Sequence, residues 1–244
     1  MNVSKAVFNW SGGKDSALAL FEVLQNPKFQ VQKLLTNVTS ELNRVSAHGV
    51  RTELMWQQAA HIGIPLSFLE LPEHSSIDEY NSITEKTFTA FKDEGISDTI
   101  FGDILLEDLK EYREGQLQPL GFNVHFPLWK RDTKELLLEF IELGFKAIVV
   151  CVKSEVLDKS FAGRILDKEF LSDLPANVDP CGENGEYHTF VYDGPIFEKP
   201  VLFTEGELVF REYEAPKKDE TKCPLSSETN PKKLGFWFLD LLPV

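Results

Sequence analysis

The spacing of apolar residues changes character several times along this chain. Residues 5–10, 31–37, 66–71, 98–102 and 122–126 form short apolar or alternating runs, the pattern of strands. Between them, at 15–24, 51–62, 77–92 and 105–116, apolar residues recur every three or four positions, the pattern of helices. Ser76-Ile77-Asp78-Glu79 has the form of a capping box that opens the third of these helices. Behind it Ile77, Tyr80, Ile83, Thr84, Phe88 and Phe91 share one face and read as core. Strand and helix in alternation predict an α/β fold: a parallel sheet with helices on both faces and right-handed crossovers. In such a sheet a ligand sits beyond the carboxyl ends of the strands. Residues 11–16, Thr36-Asn37 and Gly102-Asp103 fall at such ends.

From Asp132 the pattern restarts. Asp132 to Glu135 can cap a helix carrying Leu136, Leu137, Phe140 and Ile141, which Gly144 ends. Residues 145–152 are a β-branched strand, 157–174 irregular or helical, 179–186 a loop broken by Pro180, Gly182 and Gly185, and 187–192 and 200–213 strands. Residues 215–233 are polar, contain Pro216, Pro224 and Pro231, and read as a mobile connection. The last stretch, 234–244, is too apolar to stay in water and should dock as a strand, burying Trp237 or its neighbours on both sides. Left exposed, it would serve a homo-oligomer or a client. The organisation expected is a first domain over 1–125, a smaller α+β domain over 126–214, and a connection with a docking tail over 215–244.

Composition narrows the partners. The chain has 244 residues, 42% of them apolar, enough for a sizeable core. No run nears the length of a membrane span and no basic-then-apolar leader is visible. The three cysteines, Cys151, Cys181 and Cys223, lie too far apart for a zinc site or a disulfide frame, so a reducing cytoplasm fits. The formal net charge is −14, and no basic cluster is present, which argues against RNA as substrate.

The strongest chemical signal is Ser11-Gly12-Gly13-Lys14-Asp15-Ser16, set between the first strand and the first helix. Adjacent glycines allow a sharp turn and close approach. The N–H groups of the turn and of the first helical turn then converge on an anion, with Lys14 as a point charge, exposed at the loop, and Ser11 and Ser16 as hydroxyl donors. The spacing fits neither the nucleoside-triphosphatase loop nor the dinucleotide fingerprint. Ser-Gly-Gly-x-Asp-Ser resembles the PP-loop of the ATP pyrophosphatases, which cleave ATP between its α and β phosphates.

Three further segments extend the likeness: Phe101-Gly102-Asp103-Ile104, Phe126-Pro127-Leu128-Trp129, and the run from Cys181 through Gly182-Glu183-Asn184-Gly185-Glu186-Tyr187-His188 to Phe197. Together they resemble the diphthine–ammonia ligase family of N-type ATP pyrophosphatases, from about residue 5 to about residue 200. The resemblance implies an N-terminal HUP (Rossmann-like) domain that binds ATP and a smaller C-terminal domain that shapes the acceptor site. It also implies amidation of diphthine, a modified histidine on elongation factor 2, by ammonia and ATP, with AMP and pyrophosphate as products. The chain departs from the family pattern in places. Asn184 replaces the first glycine of a Gly pair, and His188 stands where a second acid is common. The stretch from Glu107 to Glu114 has fewer arginines, and His48-Gly49-Val50-Arg51 differs from the common form. These changes fall where the acceptor should bind, so the acceptor could be a carboxylate on a protein such as elongation factor 2 or on a small molecule.

Candidate roles follow. Ser11, Gly12, Gly13, Lys14, Asp15 and Ser16 should hold the phosphates. Thr36 and Asn37 either offer backbone groups to adenine or simply end a strand, and Gly102 and Asp103 either admit the nucleotide or do the same. His48 contacts phosphate or substrate, or is a surface histidine. Glu183 and Glu186 are either carboxylates that hold Mg²⁺ (with Asp15 as a further ligand) or that position ammonium and take its proton, or an acidic turn in solvent. His188 assists proton transfer or is a structural histidine. Tyr187, His188 and Arg113 are candidates for the acceptor. Lys110 and Arg113 could meet a phosphate or carboxylate, though helix-surface charges are common, and Asp193 is most simply a turn residue. Lys14, Asp15, Glu183 and Glu186 form the catalytic set of an enzyme using ATP and Mg²⁺. Free ammonia is the expected nitrogen source, since no glutaminase region is present. Two other readings remain open: RNA thiolation, with Cys181 as its only persulfide candidate, and a non-catalytic adenine-nucleotide sensor.

Overall fold

A computed structural model describes residues 3–214 and 233–244; the expected polar connection, with Cys223, falls outside the described residues apart from Lys233. Strand β1 (Ser4–Asn9) leads through helix α1 (Lys14–Gln25) to β2 (Phe29–Thr39). A two-residue strand β3 (Arg44–Val45), with no forewarning in the pattern, precedes α2 (Thr52–Ile62). Then come β4 (Leu66–Leu71), α3 (Ile77–Asp93), β5 (Asp98–Ile100), α4 (Glu107–Leu117) and β6 (Asn123–His125). The five longer strands pair in parallel, with β1 between β2 and β5, β4 outside β2, and β6 outside β5. β3 pairs antiparallel with the far end of β2, where β1 has already left the sheet.

Period two in the strands sorts the core into two layers. Ala6, Phe8 and Leu34 face a cluster shared with Leu18, Leu20, Leu54 and Met55, while Val7 and Leu35 face Phe88, Phe91, Phe101 and Phe122. Helices therefore cover both faces, and the central strand is buried on each side. The Ser76 hydroxyl accepts the Glu79 N–H at 3.2 Å, so α3 starts where the capping pattern put it. Of its expected stripe, Ile77 is exposed and Thr84, Phe88 and Phe91 are buried. Chain order reverses between β1 and β5, which opens a crevice at their carboxyl ends.

The second unit begins with α5 (Thr133–Glu142), capped by Asp132, whose Oδ1 accepts the Glu135 N–H at 2.9 Å. Strand β7 (Lys146–Lys153), a short 3₁₀ turn (Lys159–Phe161), α6 (Lys168–Asp173), β8 (Tyr187–Asp193), β9 (Phe203–Glu214) and β10 (Lys233–Pro243) follow. The sheet is antiparallel in the order β8-β7-β10-β9. The apolar tail is therefore an inner strand. Leu239 and Leu241 are buried, whereas Trp237 is only half-buried, with its ring 4.9 Å from that of Phe210. The cluster that holds Ala6 and Phe8 continues through Leu136, Phe140, Val149 and Phe190, so one apolar core joins the two sheets. Among the described residues no helix is long and apolar enough to cross a membrane.

Candidate active site

The turn from β1 into α1 is built by one backbone requirement. Gly12 has φ of +77°, and a Cβ there would sit 2.8 Å from Gln58 Oε1 and 2.9 Å from Met55 Cε. Its carbonyl accepts the Val191 N–H at 2.9 Å and Gln58 Nε2 at 3.1 Å. Gly12 thus docks β8 and α2 against the loop and does not line the cavity. Gln58 is fully buried, and it also accepts Trp10 Nε1 at 2.8 Å and donates to the Val191 carbonyl at 2.6 Å.

Beyond the turn lies a cavity of about 450 Å³ at the crevice between the sheets. Ser11, Gly13, Lys14, Asp15 and Ser16 form its floor at the α1 N-terminus. The Ser11 and Ser16 hydroxyls are 3.0 Å apart, and Ser16 donates to the Gly13 carbonyl at 2.9 Å. Lys14 was expected at an exposed loop position. Instead it is the first residue of α1 and is 4% exposed, because the second unit closes over it. Its Nζ lies 2.8 Å from Asp15 Oδ2, donates to the Cys181 carbonyl and sits 5.2 Å from the centre of the Tyr187 ring. Burial alone would lower its pKa; the Asp15 carboxylate leads the opposing charges, and the net direction is upward, so Lys14 stays protonated. The Lys14 backbone N–H is capped from the other unit by Thr189 Oγ1 at 3.0 Å.

Asp103 and Glu183 join Asp15 on the same walls. Arg113 donates to Asp103 Oδ1 at 3.1 Å and lies 4.1 Å from the centre of the Phe101 ring. Its Nε is also 3.1 Å from Asp103 Oδ2, an ion pair without hydrogen-bond geometry, so that buried oxygen has no hydrogen-bond partner. Burial, and then the charge of Asp15, raise Glu183 to about 7, although its Oε2 accepts the N–H groups of Ile104 and Leu105, each at 3.2 Å. Asp103 is raised too, by burial against the Arg113 charge, with Asp15 adding to the rise. Gly102 lines the cavity, and a Cβ there would lie 3.0 Å from the Ser16 nitrogen; the close approach it permits is that of α1 itself.

Glu186 behaves differently. Only 4% exposed, it is absent from the cavity wall. Its Oε1 accepts Asp179 N–H at 3.1 Å and Asn184 Nδ2 at 3.0 Å, and its Oε2 accepts Asn184 N–H at 2.8 Å. Burial pushes its pKa up, but these donors outweigh it and hold the carboxyl below its ordinary range. Glu186, expected beside Glu183 on a metal or ammonium, instead ties residues 179–186 into one loop. Asp179 helps, accepting the N–H groups of Cys181 and Glu183 at 2.8 and 3.2 Å.

The remaining expected residues divide. Asn37, His48, Tyr187 and His188 line the cavity. His48 Nδ1 is 3.1 Å from the Thr189 carbonyl, and the rings of His48 and His188 are 4.6 Å apart. Burial holds His48 down to about 4, and burial followed by the His48 and Lys14 charges holds His188 well below its ordinary value, so both are neutral at pH 7. The Tyr187 hydroxyl donates to the Pro180 carbonyl at 2.5 Å. Thr36 is fully buried and donates to the Trp10 carbonyl at 2.6 Å, away from the cavity. Lys110 pairs with Glu114 at 2.7 Å, and Asp193 accepts its neighbour Gly194 N–H at 2.9 Å, as a turn residue does. The Cys181 thiol is buried, donates to the Thr133 carbonyl at 3.1 Å, and is pushed far up by that burial. Gln58 carried no motif, because it sits inside a regular helix, and Thr189 lies in the Cys181–Phe197 run without having been singled out.

The diphthamide synthase N-terminal domain family matches residues 4–122, and the diphthamide synthase C-terminal domain family matches residues 132–217. Diphthine–ammonia ligase of Mus musculus is 27% identical over 234 residues, which cover 84% of this chain and 85% of that protein. The Homo sapiens protein of that name is 27% identical over 235 residues, with the same shares of 84% and 85%. That of Danio rerio is 37% identical over 105 residues, 41% of this chain and 39% of that one. Among solved structures, the U34-tRNA thiolase NcsA from Methanococcus maripaludis, with its 4Fe-4S cluster, covers 59% of each chain at 18% identity and a TM-score of 0.38, a likeness on which nothing further rests.

Proposed function

The chain belongs to the diphthine–ammonia ligase family, and from that premise we propose that it is an ATP-dependent ligase that adenylates an acceptor carboxylate and passes it to ammonia, releasing AMP and pyrophosphate. The observation that carries the reading is the single cavity in which the α1 N-terminus, Lys14 and Glu183 converge. A carboxylate is a poor acyl donor because its leaving group would be oxide. Attack of a carboxylate oxygen on the α-phosphate makes an acyl-adenylate and expels pyrophosphate. Nitrogen attack on the acyl carbon then breaks the bond to AMP.

Each residue has a part in this reading. The α1 dipole and the Ser11 and Ser16 hydroxyls hold the triphosphate. Lys14, kept protonated by Asp15, faces the charge that develops as pyrophosphate leaves. Glu183, with a pKa near neutrality, takes the proton that leaves nitrogen during attack. Neutral His48 and His188 wall the cavity without adding positive charge. Diphthine is the acceptor that the relatives' names point to.

Magnesium, which such chemistry implies, fits this donor set. Asp15 and Asp103 line one cavity, and Asp103 Oδ2 is buried without a hydrogen bond. Mg²⁺ favours one or two carboxylates together with phosphate oxygens. Bound there, it would neutralise charge on the polyphosphate. Of the carboxylates expected on the metal from the sequence, Asp15 is kept in this reading, and Asp103 takes the place given there to Glu186. The RNA-thiolation reading loses support because the Cys181 thiol is buried with a strongly raised pKa. The test is product chromatography with labelled ATP, ammonium and a diphthine-bearing elongation factor 2. AMP and pyrophosphate are expected; ADP and phosphate would overturn the reading, and tight ATP binding without any turnover would favour a sensor.

A further inference from the structure

Residues 44–51, from β3 to the start of α2, wall the nucleotide cavity with Val45, Ser46, Ala47 and His48. The segment closes on itself. The Val45 N–H donates to the Val50 carbonyl at 2.8 Å, the Gly49 N–H donates to the Val45 carbonyl at 2.9 Å, and Arg44 and Arg51 face each other as an antiparallel bridge at its base. Ala47 and Gly49 lie in the left-handed region, at φ of +64° and +72°. For a residue with a side chain that conformation is disfavoured and persists only where the surroundings hold it. The loop also backs the phosphate loop. A Cβ at Gly13 would sit 2.9 Å from His48 Cε1. His48 Nδ1 is 3.1 Å from the carbonyl of Thr189, whose hydroxyl caps the Lys14 N–H.

The last strand holds this loop from outside. Arg44 and Arg51 are like charges set directly opposite each other, an arrangement that repels. Asp240 of β10 answers both. Its Oδ1 accepts Arg44 Nη1 at 2.8 Å and Arg51 Nε at 3.1 Å, and its Oδ2 accepts Arg51 Nη2 at 2.7 Å. The same Arg44 nitrogen donates to the Gly49 carbonyl at 2.7 Å, so one guanidinium ties the carboxylate to the far side of the loop. Burial would raise Asp240, but the hydrogen bonds and charges of the two arginines hold it at about 2, and it stays ionised. Two residues back, the Phe238 ring lies against Gly49, where a Cβ would sit 2.8 Å from Phe238 Cδ1. Strand β10 is itself fixed between β7 and β9, and it lies beyond the residues matched by either family, 4–122 and 132–217.

We propose that Asp240 is a positioning residue for nucleotide binding: from the C-terminal strand it fixes loop 44–51 against the phosphate loop, so that ATP meets a preformed wall. Asp240 does not line the nucleotide cavity and acts through Arg44, Arg51 and Gly49. A wall ordered in advance spares the ligand the cost of ordering it on binding. The proposal rests on the reading of this cavity as an ATP site, while the grip on the loop rests on the geometry alone.

The test uses the full chain, α,β-methylene-ATP and Mg²⁺ in calorimetric titrations well below the melting temperature. Asp240→Asn removes a negative charge and Arg44→Met removes a positive one. Acting through space alone, the first change would tighten binding of an anion and the second would loosen it. Positioning predicts that both weaken binding, by threefold or more, and that Asp240→Glu, which keeps a carboxylate, binds at least twofold tighter than Asp240→Asn. Without nucleotide, amide hydrogen exchange over residues 44–51 should speed up in Asp240→Asn while that of β1 holds. Unchanged or tighter nucleotide binding in Asp240→Asn, or unchanged exchange in the loop, would overturn the proposal. Nucleotide binding by the wild type with no response in either variant removes this proposal alone. A wild type that binds no nucleotide removes the ligase reading with it.

Discussion

The two glycine-rich loops that face each other across the nucleotide-sized cavity follow opposite plans. Residues 11–16 sit at a helix N-terminus and aim Lys14 and Asp15 at the cavity, while the partners that hold Lys14 come largely from the second unit: the Cys181 carbonyl of the facing loop, and the Tyr187 ring and Thr189 of β8. Residues 179–186 turn most of their acid inward. Asp179 and Glu186 accept N–H groups of their own loop, Asp179 also accepting the Thr133 hydroxyl of α5, whereas Glu183 accepts the N–H groups of Ile104 and Leu105 across the cavity. The difference teaches that acid in a loop has two physical fates. A carboxylate with several N–H donors is held ionised and does structural work. A carboxylate buried beside another negative charge has its pKa lifted toward neutrality and becomes useful for moving protons.

Substitutions can break this contrast, and the largest effect should come at Glu183. Glu183→Gln should lower turnover by roughly 10² to 10⁴, the usual worth of a general base. The ionisation near pH 7 in the kcat/KM profile should vanish with it, and the melting temperature should not fall. A profile that keeps this ionisation in the variant would assign it elsewhere. Next is Lys14→Met. Turnover should drop by tenfold or more, on the order of the loss of one charge-stabilising donor. Because Lys14 is buried against Asp15, the melting temperature should drop too; an unchanged temperature would mean the pair adds nothing to the fold.

Glu186→Ala should act mainly on stability. Three N–H groups lose their acceptor, and although those of exposed Asn184 can turn to water, the part-buried Asp179 N–H and the loop it closes are left unsupported, at about 1–3 kcal/mol in all. At about 2–4 °C per kcal/mol for a chain of this size, a loss of several degrees is expected in calorimetry. Loss of turnover with an unchanged melting temperature would instead make Glu186 catalytic. A smaller effect is the pH dependence of stability. Glu183 is raised in the folded state, so the folded chain binds more protons between about 4.5 and about 7, and stability should fall as pH rises through that window. His48, lowered to about 4, works the other way: its contribution is lost as pH falls from 6.5 toward 4. Wild type compared with Glu183→Gln isolates the first slope. The smallest effect belongs to Cys181→Ser, which should leave ATP turnover unchanged, since the buried thiol only donates to a carbonyl. Abolished turnover would revive a thiol chemistry.

Much of this was legible along the chain. The parallel sheet was readable because its strands and helices alternate locally, and the phosphate loop because six adjacent residues carry its chemistry. The burial of Lys14 was not, because the residues that cover it lie more than 160 positions away. Glu183 and Glu186 look equivalent in sequence. They diverge only because the loop folds back on Glu186, a matter of backbone direction that no residue type encodes. The tail was readable as a strand from its apolar run, but its insertion between β7 and β9, and the grip of Asp240 on Arg44 and Arg51, depend on contacts across the whole fold.

In the proposed reaction a nucleotide lies over the α1 N-terminus with its α-phosphate turned toward the loop that carries Glu183. A crystal structure with α,β-methylene-ATP and Mg²⁺ tests it most directly. The triphosphate is expected against Ser11, Gly13, Lys14 and Ser16, the metal at Asp15 and Asp103, and the Glu183 carboxyl on the open side of the α-phosphate. A nucleotide whose phosphates point away from residues 11–16, or whose α-phosphate is walled off from Glu183, would contradict it.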